Sequence, residues 1–75
     1  MSKYAEIRCD FFDEEEEKWF VDAWLTDDGN EEGMVIAKID LTAKTVEYIA
    51  EDAKTDEYAQ TIIQEFLENG YILTE

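Results

Sequence analysis

Nearly every side chain here that is able to do chemistry is a carboxylate. The 75 residues contain twenty-one Asp and Glu, six Lys and Arg, a single Cys and no His. Without an imidazole there is no Ser-His-Asp triad and no His-containing zinc site. Cys9 alone can form no internal disulfide and cannot by itself hold a thiolate metal centre. What remains is oxygen chemistry. Asp28, Asn30 and Glu32 alternate before Gly33, like the opening of an EF-hand loop with a glycine sixth. The twelfth position of such a loop is a bidentate glutamate, and here it is Ile39. Turns rich in Asp, Asn and Gly produce this pattern for conformational reasons. Glu51 and Asp52, expected at the same end of the fold, can lend oxygens to weak Ca²⁺ or Mg²⁺ association, but no specific metal site and no cofactor is expected.

Paired carboxylates can also act as general acid and base. A catalytic carboxyl needs an apolar pocket to raise its pKa, and these acids fall in loops and on a helix surface where water keeps them ionised. The chain is therefore read as a non-enzyme.

The net charge of −15 narrows the partners. Binding to nucleic acid by counterion release is disfavoured, as is adsorption to an anionic membrane. Crowded carboxylates repel one another, so added salt should stabilise the fold. Disorder is not expected, because 45% of residues are hydrophobic and 13% aromatic, enough for a core. No apolar run reaches the roughly 20 residues of a membrane span. Nothing at Met1-Ser2-Lys3 reads as a signal peptide. A free cysteine fits a reducing compartment, so the expected location is the cytoplasm.

The elements that must position these residues follow from hydrophobic period. Ala5, Ile7, Cys9 and Phe11 alternate with Glu6, Arg8 and Asp10, which is a strand. In that reading Cys9 is a buried, inert thiol. Asp13 to Glu17 form an acidic loop. Lys18 to Thr26 is a second strand with Trp19, Val21, Ala23 and Leu25 inward and Phe20, Asp22 and Trp24 opposite. Asp27 to Gly33 is a turn. Met34 to Asp40 is a third strand with Val35, Ala37 and Ile39 inward. Leu41 to Lys44 is a short loop, and Thr45 to Ile49 a fourth strand. Tyr58, Ala59, Ile62, Ile63, Phe66 and Leu67 then form one stripe of a helix of about fourteen residues. Thr55 or Asp56 caps its start, and Asn69-Gly70 ends it. Tyr71 to Leu73 is a possible short fifth strand.

The expected fold is a single α+β domain over residues 1–75. It has two layers, a four-stranded antiparallel meander and one C-terminal helix packed on one face. Matching inward faces across the turns puts Phe12 against Lys18, and sets Arg8, Asp22, Lys38 and Glu47 in one row of alternating charge on the open face. The adjacent row reads Glu6, Trp24, Ile36 and Ile49, with Met34 beside it. Large apolar side chains in line on an uncovered face mark an interface unless the last strand folds back over them.

Two functions are expected on these grounds. In the first, the open sheet face binds another protein, with Trp24 as anchor and Ile36, Ile49, Met34 and Phe20 around it. The partner is basic, or is a second copy of the chain. In the alternative, the acidic surface of Asp13, Glu14, Glu15, Glu16 and Glu17, with Glu57, Glu65 and Glu68 of the helix, imitates nucleic acid and inhibits a protein that binds DNA or RNA. Carboxylates on every second strand residue recur at about 6.6 Å, a spacing a phosphate-binding groove accepts.

Overall fold

Period-two patterning produces long strands in the first half of the chain, and the change to period 3.6 produces one helix in the second. In the computed structural model these are β1 (Tyr4–Asp13), β2 (Lys18–Asp27), β3 (Asn30–Asp40), β4 (Thr45–Tyr48), a 3-10 turn (Glu51–Lys54), α1 (Glu57–Glu68) and β5 (Ile72–Thr74). Residues 3–27 and 29–74 are described, with the side chains of all but Cys9, Asn30 and Glu31. The expected burial of the Cys9 thiol and the Asp28/Asn30 part of the cation pattern lie outside that description.

Among the described residues the sheet has five strands, in the order β1-β2-β3-β4-β5. The α+β expectation holds, but the sheet is mixed rather than a purely antiparallel four-stranded meander. β5 lies beside β4 and runs parallel to it. The reason is topological, since a chain that crosses the sheet as a helix returns in the direction of the strand it left. The 3-10 turn and α1 supply that crossover.

Two local devices fix the helix. The Asp56 carboxylate accepts from the backbone N–H groups of Tyr58 and Ala59 at 2.9 and 3.0 Å, and it also pairs with Lys3. At the other end Gly70, at φ +92°, closes a Schellman motif. The Tyr71 N–H donates to the Phe66 carbonyl and the Gly70 N–H to the Leu67 carbonyl. The Phe66 and Tyr71 rings meet edge to face at 5.1 Å and complete the motif's apolar contact. Gln60 clips the helix down, donating to the Tyr48 hydroxyl at 2.6 Å and the Ala53 carbonyl at 2.9 Å.

One face of the sheet is covered by α1, which packs against β1 and β2. The core beneath it joins Val21, Ala23, Leu25, Ile36, Ala37, Ile39, Val46, Ala53, Ala59 and Ile63. Ile36 departs from the expected pattern. β3 carries an extra residue between the pairs Ala23–Ala37 and Trp24–Val35, so Ile36 sits in a bulge and turns inward, 1% exposed. Val35, expected inward, stands opposite Trp24 instead. A second bulge in β1, between Arg8 and Phe11, puts Phe11 opposite Phe20 and Phe12 opposite Trp19 rather than Lys18.

Candidate functional site

The row of charge across the open face forms in the expected register. Arg8 pairs with Asp22, Asp22 with Lys38, and Lys38 with Glu47. The side chains do not make the expected ladder of cross-strand ion pairs. Arg8 turns along its own strand to Glu6 and lies over the Trp24 ring at 4.8 Å. Its other nitrogens donate to the Glu32 carbonyl at 3.0 Å and the Thr26 hydroxyl at 3.3 Å. The hydrogen bond to Glu6 raises the guanidinium pKa further above its usual value. Gly33 makes room for this arm. It holds φ +87°, and a Cβ there would come within 2.9 Å of the Thr26 hydroxyl and 3.3 Å of the Arg8 nitrogens.

This arrangement revises the expected interface. Trp24 is half-buried beneath Arg8, and its indole N–H is buried without an acceptor. Phe20 is only 4% exposed, stacked on Phe11 at 5.4 Å with the Lys38 ammonium 4.1 Å above its ring. Ile36 has left for the core. Met34 stands opposite Leu25, and Ile49 lies beyond the end of β4, both exposed. The five expected anchor residues are therefore dispersed and make no continuous patch.

A shallow depression of about 160 Å³ on this face is lined by Glu16, Phe20, Lys38, Asp40, Thr45, Glu47 and Thr74. Ligand pockets usually enclose about 300–1,000 Å³. Among the described residues, no three Cys, Asp or Glu side chains converge as a metal site.

The acidic hairpin loop is ordered from within. The Asp13 carboxylate accepts from the N–H groups of Glu15 and Glu16 at 2.9 and 3.1 Å, and Glu17 closes the turn at φ +55°. Asp13 is thus a turn-forming residue, and Glu14 to Glu17 carry the exposed charge. Lys3, Arg8, Lys18 and Lys54 pair with Asp56, Glu6, Asp40 and Glu51. Among the described residues no ion pair engages Glu14 to Glu17, or Glu57, Glu65 and Glu68 of α1.

Comparison with protein-family models, with curated proteins and with solved structures gives no match. Function has to be read from the surface itself. No helix among the described residues is long and apolar enough to cross a membrane.

The most exposed aromatic pair lies on the helix side of the sheet, at the end of the β1–β2 hairpin. Phe12 and Trp19 pack at 5.2 Å and are 44% and 49% exposed. The position of Trp19 is tightly set. Its N–H donates to the Thr42 hydroxyl at 3.0 Å, and its carbonyl accepts from the Leu41 N–H at 2.8 Å. Nearby Asp40 anchors the β3–β4 turn through the Thr42 and Ala43 N–H groups and binds Lys18. Burial opposes ionisation of Asp40, but the Ala43 N–H, Lys18 and the Thr42 N–H outweigh it and hold the pKa below the usual 3.8. Sequence reasoning had assigned Trp19 to the core. The available signal was length, because a helix of about fourteen residues spans only about 21 Å at 1.5 Å per residue, less than the strand it covers.

Proposed function

We propose that this protein is a non-catalytic domain that binds a basic protein partner through the aromatic end of its β1–β2 hairpin. The observation that carries the reading is the Phe12–Trp19 pair, exposed on a backbone held by Thr42 and Leu41, beside the Glu14–Glu17 loop, which no ion pair engages among the described residues. Pre-set aromatic side chains lose little entropy on binding and commonly dominate interface energy. The loop charge would speed encounter with a basic surface and select against acidic ones. Trp24, half-buried under Arg8, serves the fold in this reading rather than the partner.

The nucleic-acid mimic remains the second reading, favoured by the absence of ion pairs to Glu14–Glu17 and to Glu57, Glu65 and Glu68 among the described residues. The two separate in a pull-down from host lysate, washed at about 0.15 M and then about 0.5 M salt, a range over which screening of exposed charge grows steeply. A partner that survives the second wash and is lost with Trp19→Ser supports the aromatic site. A nucleic-acid-binding partner released by salt, indifferent to Trp19→Ser and lost when Glu14–Glu17 become Gln, supports mimicry.

A further inference from the structure

The two edges of the sheet differ. β5 is three residues long, whereas β1 runs for ten and, among the described residues, pairs only with β2. An edge strand of that length presents a row of outward N–H and C=O groups able to template another strand. β1 also exposes apolar side chains on both faces of the sheet. Tyr4, opposite Thr26, and Phe11, opposite Phe20, lie on the open face. Ile7, opposite Ala23, and Phe12, opposite Trp19, lie on the helix face. All four are exposed, between 39% and 44%. A body docked on either face would cover one pair and leave the other in water. Only an occupant in the plane of the sheet, beside β1, reaches both.

We infer that the outer edge of β1 takes an extended basic and apolar segment of the partner as an additional strand. The inference rests on the protein-binding reading above and supplies its mode. Charge selects the occupant. A second copy of the chain would bring its own −15 against this edge, while a segment bearing Lys or Arg meets Asp10 and the Glu14–Glu17 loop. The β1 bulge limits the ladder. Before it, Tyr4 to Arg8 are paired with β2 without interruption, so the added strand is short, spanning about 17 Å at 3.4 Å per residue. Its alternate side chains would cover Tyr4 on one face and Ile7 on the other, with the basic end toward Asp10.

The test uses peptides of about ten residues, with a run of Val at one end to cover Tyr4 and Ile7 and Lys at the other end to meet Asp10, the length of an edge partner in strand addition. Amide NMR and hydrogen exchange on the intact protein provide the readout. The expected result is protection and shifts at residues 4–8, with affinity falling at least roughly tenfold when every second peptide amide is N-methylated. The same peptide with Glu in place of Lys should not bind. Because the damaging change is made in the peptide, the protein's folding is not in question. Binding that ignores methylation, or that maps only to Phe12, Trp19 and the acidic loop, overturns the edge inference and leaves the protein-binding reading intact. Protection of the same amides by raising protein concentration alone assigns the edge to a second copy and overturns it too. If no peptide binds, the edge inference falls, and indifference of the pulled-down partner to Trp19→Ser would then bring down the protein-binding reading as well.

Discussion

Along the helix-side face of β2, Val21, Ala23 and Leu25 are buried while Trp19, two residues earlier, is 49% exposed. Hydrophobicity does not separate them, since Trp19 is the largest of the four. Coverage does. The twelve residues of α1 span about 18 Å at 1.5 Å per residue. The ten residues of β2 extend about 33 Å. The helix therefore shields the middle of the sheet, and the hairpin end projects past it, consistent with a longest molecular dimension of 37 Å. The covered region gives the fold its stability. The projecting region is left free to carry contacts that stability does not require.

The strongest way to break that division is to open the covered region. Ile63 and Ile39 are fully buried beneath and within the sheet layer. Ile63→Ala should cost about 2–5 kcal/mol by lost transfer energy and the cavity left behind. Small domains have little stability in reserve, so urea denaturation should show a large fall in midpoint or an unfolded chain. Retention of the wild-type midpoint would contradict the placement of α1.

Gly33 comes next, because it tests the open face rather than the helix face. Alanine there meets the left-handed conformation and a 2.9 Å approach to the Thr26 hydroxyl, together worth about 1–3 kcal/mol. The Arg8 arm should also lose its seat, which would change the fluorescence of the half-buried Trp24. A stability loss with unchanged fluorescence would separate the backbone strain from the Arg8 contact.

How much of this was legible depends on what a residue count can fix. The central row Arg8–Asp22–Lys38–Glu47 was found correctly at all three junctions, although two of the turns were not. β1 and β2 close at Asp13–Lys18, and β2 and β3 at Asp27–Asn30, nearer the tips than expected. The residues assigned to those loops are instead absorbed inside the strands as bulges, at Cys9–Asp10, at Ile36 and around Gly33. The register at the centre depends only on the total between paired positions, so it survives the exchange. The faces beyond each bulge do not, and that is why Ile36 and Phe11 changed sides and the expected Trp24 patch dispersed. Gly33, between the acidic turn and the apolar run of β3, was the one sign of a bulge in the sequence, and it is equally a sign of a turn. The parallel course of β5 had no local signature, because it follows from where the helix crosses.

A smaller effect separates the ends of the helix and the β3–β4 turn from both regions. Asp56 and Asp40 have pKa values below the ordinary 3.8. For Asp56, burial works against the charge, but Lys3 and the helix N–H groups outweigh it. A carboxylate with a depressed folded pKa contributes stability above its unfolded value, and loses that contribution as pH falls through the folded value. Thermal melts should therefore lose these contributions below about pH 4. Asp56→Asn keeps a capping side chain but not the charge. It should cost about 1 kcal/mol or less at neutral pH and shrink the acid-dependent part of the loss. An unchanged acid limb would show that the Asp56 charge does not contribute.

A stability change of similarly small size should come from the most exposed aromatic. Trp19→Ser removes a side chain that touches Phe12 and little of the core, while the Thr42 and Leu41 hydrogen bonds use only its backbone. Losing one aromatic pair costs about 0.5–1.5 kcal/mol, well below the effect expected of Ile63→Ala. Against that modest loss, capture of the partner should disappear. If Trp19→Ser instead destabilises the protein as much as Ile63→Ala, the hairpin end belongs to the core. The contrast between covered and projecting regions would then fail where the functional reading depends on it.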